Sequence, residues 1–246
     1  MNLLPVSGLT SDLRHPNGAD ELSLCEATGS AVSRSLTLLS RLSDRSDWSA
    51  LTVTDFEVLL LQLREQVIGD VCDLGFSCPQ CATRVEVSFR ISDFLDGIGS
   101  RRPPGVEPVP GRSGWFRSEG VEFRLPTAGD QAAVEHSSDP LQALLERCIA
   151  PPLPPVRLRK RIERAMEALA PEVSRPLVGT CPGCDGTVSA PLHVARLVVS
   201  EFVRDAASLH DEVDLIARAY HWPEADILQL PRRRRRAYAE RIRQAA

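Results

Sequence analysis

The sequence is almost without lysine. Lys160 is the only one, although lysine and arginine together number 29. Basic charge is therefore arginine charge, which reads as a bias of the coding sequence and not as a function. Aromatic residues are only 5% of the 246, so a core has to be built from Leu, Val, Ile and Ala. No stretch approaches the ~20 consecutive apolar residues of a membrane span. Residues 1–11 lack the basic start and long apolar run of a secretory signal. Together these absences predict a chain that stays in a reducing cytoplasm and has no membrane partner. The net charge of −4 gives no global pull toward nucleic acid. Catalytic signatures are missing too: there is no G-x-S-x-G, H-E-x-x-H, Walker A or G-x-G-x-x-G. The five histidines do not cluster. His210 and His221 flank a helix with Asp211, Glu212 and Asp214, where a solvated face is the expected reading. The expectation is a protein that is not an enzyme.

What is present starts with an ordinary globular composition, 43% apolar and 25% charged, long enough for one large domain or two small ones. There are seven cysteines. An odd number in a reducing compartment argues against a disulfide framework. Four of them form two matched turns, Cys78-Pro79-Gln80-Cys81 and Cys181-Pro182-Gly183-Cys184. A C-x-x-C turn presents two sulfurs from one tight loop, and two such loops complete the tetrahedron of soft thiolates that structural Zn2+ prefers. Such a site leaves no coordination position open, so it staples a fold and performs no hydrolysis. The competing readings are plain buried thiols or a redox dithiol, for which the surrounding pattern offers no thioredoxin-like βαβ unit. Cys25, Cys72 and Cys148 look ordinary, although Cys72 lies near enough to the first turn to stand in for a ligand.

The remaining pattern predicts mixed secondary structure. Residues 1–47 read as a partly ordered arm with one short helix at 31–42. Thr54, Asp55 and Glu57 suggest the start of a helix with one buried face, carrying Phe56, Leu59, Leu60, Leu63 and Val67 and ended by Gly69. Val85, Val87 and Phe89 alternate as in a half-buried strand leaving the first cysteine turn. Residues 97–114 read as a loop, and Val121, Phe123 and Leu125 as a short strand. Asp139-Pro140 begins a helix, and Leu158 to Leu169 a second one. After the second cysteine turn comes an apolar stripe from Phe202 to Tyr220. Pro223 and Pro231 each start a short helix. The chain ends in an arginine run, Arg232, Arg233, Arg234, Arg235 and Arg236, alongside Tyr238. Such a run suits carboxylates of a protein partner better than nucleic acid, because no aromatic residues interleave it.

The order of these elements resembles the T-even-type baseplate hub assembly proteins of contractile phage tails and related injection systems. Three segments carry the likeness. They are Trp48 to Arg64 running on to the CPQC turn, Phe123-Arg-Leu-Pro-Thr-Ala-Gly-Asp130 with the Leu144–Cys148 helix behind it, and Glu212 through Pro231 with its arginine-rich end. The resemblance implies a role in building the hub in the cytoplasm of a bacterial host, as an assembly chaperone or a minor component in contact with other tail proteins, without catalysis, and leaves open whether the chain stays in the finished particle. Ala82 departs from the zinc-ribbon habit of glycine after the second cysteine. The resulting expectation is an α+β fold: a small zinc-ribbon-like β core, an inserted β/α segment and a helical C-terminal part. Its segments would be 1–47, 48–98, 99–176 and 177–246. Cys78, Cys81, Cys181 and Cys184 would hold zinc. Trp222, Ile227, Leu230, Tyr238 and Arg232 to Arg236 would meet a partner. The rival reading is a zinc-ribbon nucleic-acid-binding protein that uses the arginine cluster.

Overall fold

The computed structural model describes residues 3–45 and 47–245; Met1, Asn2, Ser46 and Ala246 lie outside the described residues. The fold is α+β. The chain divides into two compact units, one of residues 1–11 with 47–194 and one of 12–46 with 195–246. These units differ from the four consecutive segments expected from the sequence. The described part of the supposed arm is ordered in two helices, α1 (Gly18–Glu26) and α2 (Ala31–Leu42). The weak periodicity of the first stretch hid α1. Its register is set by a capping box, in which Asn17 accepts from the Asp20 N–H and Asp20 from the Asn17 N–H.

In the first unit, α3 (Val53–Val67) is the central element. Its N-cap is Thr52, which accepts from the Asp55 N–H; the cap expected at Thr54 lies two residues too late. The Asp55 carboxylate accepts from the N–H groups of Val6 (2.9 Å) and Ser7 (2.8 Å), tying down the start of the chain. Residues 54–64 are buried on every side, where one buried face was expected. The polar ones among them have partners. Glu57 accepts from the Ser174 N–H and hydroxyl, and Arg64 donates to the carbonyls of Gly69 and Val71.

Three small antiparallel sheets follow. The hairpin β1 (Val71–Ser77) with β2 (Arg84–Arg90) closes over the first cysteine turn. After the short α4 (Ile91–Asp96) come β3 (Glu107–Pro108), β4 (Trp115–Ser118) and β5 (Val121–Arg124), paired in that order. Helices α5 (Ala128–Val134), α6 (Pro140–Cys148) and α7 (Val156–Leu169) complete the insertion. Phe123, Leu145, Ile149, Ile162 and Leu169 form its core. Asp139 caps α6 with Pro140 at the first helical position. The hairpin β6 (Leu177–Thr180) with β7 (Thr187–Ala190) closes over the second cysteine turn.

α8 (Val194–Asp205) leads into the second unit, followed by α9 (Leu209–Tyr220), α10 (Glu224–Leu228) and α11 (Arg232–Ala245). The apolar stripe read as one run is broken after Asp205. Leu209, Val213, Ile216 and Ile227 make a compact core with Leu22, Tyr238 and Ile242 at its edge. No helix among the described residues is long and apolar enough to cross a membrane.

Candidate metal centre

The two cysteine turns are built alike, residue for residue. Cys78 N–H donates to the Thr83 carbonyl and Ala82 N–H to the Cys78 carbonyl; Cys181 N–H donates to Gly186 and Asp185 N–H to Cys181. All four bonds lie between 2.9 and 3.0 Å. The residue after each second cysteine sits in the left-handed region, Ala82 with φ 58° and Asp185 with φ 57°. That is the conformation in which a Cβ is penalised, so the missing glycine at Ala82 marks local strain and not a different turn.

The turns face each other. Cys78 Sγ lies 3.8 Å from Cys184 Sγ, Cys81 Sγ lies 3.6 Å from Cys181 Sγ, and all four sulfurs fall within 4.8 Å of one another. Four sulfurs at a Zn–S bond of ~2.3 Å would be about 3.8 Å apart along a tetrahedral edge. The donor set therefore fits a thiophilic metal ion, and Cys72, buried on β1 outside the cluster, is not part of it. The packing around the sulfurs leaves no slack. A Cβ on Gly183 would come 2.4 Å from Thr83 Oγ1, and one on Gly186 would come 2.2 Å from Gln80 Oε1. Bonds from the Thr83 side chain and backbone pull the Cys81 thiol down to about 6. The Gly186 backbone works the same way on Cys184, but the sulfurs of Cys81, Cys181 and Cys78 crowd it and push it up to about 12. Without a cation, ionising Cys81 disfavours ionising Cys184 beside it. Among the described residues, the cluster packs Cys78 and Cys181 with Val85 and Val188, and Phe76 and Val87 lie partly buried against them.

The residues expected to meet a partner are divided by the structure. Arg232 and Arg235 point inward. Arg235 Nε donates to Glu212 (2.7 Å) and its NH2 to Glu21 (2.5 Å), with all three side chains 3% exposed or less. Arg232 donates to Glu21 at 2.9 Å and Asp205 at 3.0 Å. Arg236 is half-buried over the Asp205 carbonyl. Ile227 is fully buried and Leu230 is partly buried. Five consecutive helical positions must point all around the axis, and the buried carboxylates of α1 and α9 claim two of them. Arg233 and Arg234 remain exposed. Trp222 is exposed and stacks on Tyr220 (5.3 Å), and both rings meet Tyr238 edge-on. The histidines His210 and His221 are exposed on or beside α9 and join no ligand cluster.

Reading the sequence missed two acidic residues that matter locally. Asp130 forms a capping box with Thr127 and is clamped by Arg124 (2.9 Å) and Arg147 (2.8 Å). Burial would raise its carboxyl, but the two guanidiniums and the Thr127 N–H hold it well below the usual carboxylate range. Asp20 in the other unit is built the same way, with Arg14 and Arg41 as its clamps. The Thr-x-x-Asp and Asn-x-x-Asp spacings were the available signal for both.

The model of the family described as T4 bacteriophage base plate protein matches residues 1–150. The chain belongs to that family. The match takes in the first 47 residues, which the sequence likeness left out, and it ends before Glu212, where that likeness had its third segment. It also contains the first cysteine pair and stops short of the second. No curated protein and no solved structure matches the chain. Membership in the base plate family implies contacts with other tail or baseplate proteins.

Proposed function

We propose that this base plate protein is a non-enzymatic component of hub assembly, whose two cysteine hairpins are held together by one structural Zn2+ in a ribbon-like core. The observation that carries the reading is the four-sulfur cluster inside a chain of the base plate family. All four ligand positions would come from protein, so no position stays open for a water or substrate. A two-stranded hairpin is marginal by itself, and a core of two valines and two cysteines is too small to hold two of them. Zinc would supply the missing folding energy there. A catalytic dithiol is not favoured, because each cysteine already faces the opposite turn.

The partner surface in this reading is the exposed ring group of Tyr220, Trp222 and Tyr238 with Arg233 and Arg234 beside it, backed by Ile227 and Leu230. Aromatic anchors flanked by arginine are the residues interfaces favour. Binding to nucleic acid through the arginine run is not favoured, since Arg232 and Arg235 are already neutralised by Glu21 and Glu212. The test is elemental analysis of anaerobically purified protein, followed by Co2+ replacement. One zinc per chain and the intense thiolate absorption of a Co2+–S4 site are expected. Assembly is tested in tail-producing cells carrying Cys181→Ser, where tails lacking a mature hub are expected. Metal-free protein with a native melting curve, or normal tails from the variant, would sink the reading.

A further inference from the structure

The first unit carries a groove of about 410 Å3 bordered by α3, α6 and α7. Its walls are apolar, with Val53, Leu144, Leu145 and Met166 inside and Leu141, 64% exposed, on the lip. The polar lining is one-sided. Glu57, Glu163, Glu167 and Glu172 contribute four carboxyl groups, and among the described residues no arginine, lysine or histidine lines the groove. The hydroxyl donors of Thr54 and Ser174 in the wall are already used. Thr54 donates to the Pro171 carbonyl (2.8 Å), and the Ser174 hydroxyl and N–H both donate to Glu57. Gln131 Oε1 is buried and has no hydrogen-bond partner. Arg159 approaches Glu163 only to 3.8 Å. What the groove offers is apolar surface plus unfilled acceptors and negative charge. A complementary occupant brings apolar side chains together with N–H donors that carry positive charge.

We propose that this groove docks a basic amphipathic segment of a partner protein, with apolar side chains entering beside Leu141, Leu144 and Met166 and arginine or lysine heads meeting Glu163, Glu167 and Glu172. That the partner is a tail protein rests on the reading above. Nucleic acid is the wrong occupant, because its phosphates would face the carboxyl groups of Glu163, Glu167 and Glu172. A second copy of this chain also carries arginines beside apolar rings, Arg233 and Arg234 next to Trp222 and Tyr238, but the reading above gives that surface to another contact, so self-association stands as an outcome of the test.

The test places a photo-crosslinking amino acid at Leu141 in the full chain, in cells building tails, and sequences the attached peptide. A segment mixing Leu, Ile or Val with Arg or Lys is expected. The double charge reversal Glu167→Arg with Glu172→Arg lies at exposed positions and should keep the wild-type melting curve. It should lower the crosslink yield about tenfold. In parallel, a synthetic peptide with leucines on one helical face and arginines on the other should bind the purified protein and be released by salt. The same peptide with glutamate in place of arginine should not bind. Crosslinks to an acidic segment or to a second copy, a yield unchanged by the reversal, or no crosslink at all would overturn the proposal. A basic amphipathic segment from a protein outside the tail supports the groove and overturns the hub-assembly reading instead.

Discussion

The paired cysteine hairpins and the arginine cluster of α11 are two polar constellations that stand out in the same chain, and each is half buried, for different reasons. In the hairpins, four soft ligands converge on a volume suited to a cation, with a small apolar cluster around Val85 and Val188 beside them. In the helical unit, Arg235 and Arg232 already have their counter-charges in Glu21, Glu212 and Asp205, within a core of Leu209, Val213, Ile216 and Ile227. In the proposed reading, the first constellation is completed by a metal ion from outside the chain. The second is complete within it. The difference teaches how a conspicuous residue run should be read: what matters is whether the fold supplies the partner.

The largest expected effect breaks the first constellation. Removing metal with a strong chelator, or replacing Cys181 with Ser, should strip amide protection from residues 71–90 and 177–190. Structural zinc sites contribute roughly 10 kcal/mol of apparent binding energy, and that energy is folding energy. Hydrogen exchange followed by mass spectrometry checks this, with α9 and α11 as the reference. Hairpin amides that stay protected in metal-free protein would rule the staple out.

Next comes the arginine cluster. Arg235→Ala leaves Glu21 and Glu212 buried without their shared cation and should cost about 3–5 kcal/mol in denaturant unfolding. Converting Arg235→Met with Glu21→Gln and Glu212→Gln should recover part of that loss, because Arg232 keeps Asp205 while the rest of the ion cluster is replaced by neutral packing. No such neutral replacement is expected for the four cysteines. For the same reason, removing residues 222–246 should unfold the helical unit. The sequence had suggested that this segment could be cut away from an intact protein.

A third, smaller effect contrasts with both. Glu57 is buried with hydroxyl and amide donors but no guanidinium, and burial pushes its carboxyl from 4.5 up to about 7. Below pH 4.5 folded and unfolded chains both hold the proton. Between 4.5 and 7 the unfolded chain releases it while the folded chain keeps it, so stability falls as pH rises and levels off above 7. The loss is about 3 kcal/mol. Denaturant midpoints across this window should decline in the wild type, and Glu57→Gln should flatten the decline.

The smallest effect tests the turn. Ala82→Gly relieves a left-handed alanine and should stabilise the metal-loaded protein by about 0.5–1 kcal/mol. A lower melting temperature would show that the Ala82 methyl has a packing role.

The cysteine turns were legible because a C-x-x-C spacing determines its own loop geometry over four residues. Strand β2 and helices α2, α6 and α7 were legible for a similar reason, since their periodicity or caps are local. Strands β1 and β6, which enter the turns, carry no clean alternation and become strands only by pairing with β2 and β7. Helix α1 was hidden because its apolar residues are few and its cap is an Asn17–Asp20 box clamped by Arg14 and Arg41. The division into units was not legible at all, because residues 12–46 join residues 195–246 across the whole length of the other unit.

By itself, the sequence determined that two cysteine turns exist, that helices dominate the C-terminal part, and that the chain carries a likeness to base plate proteins. Only the tertiary structure decided that the turns face each other across the 82–180 insertion, and that Arg232 and Arg235 face inward toward Glu21 and Glu212. It alone gathered four carboxyl groups around one apolar groove. Short-range patterns are written in spacing, which backbone geometry reads directly. Which charge meets which is settled only when distant segments are brought within a few ångströms, where burial makes an unpaired charge too costly to keep.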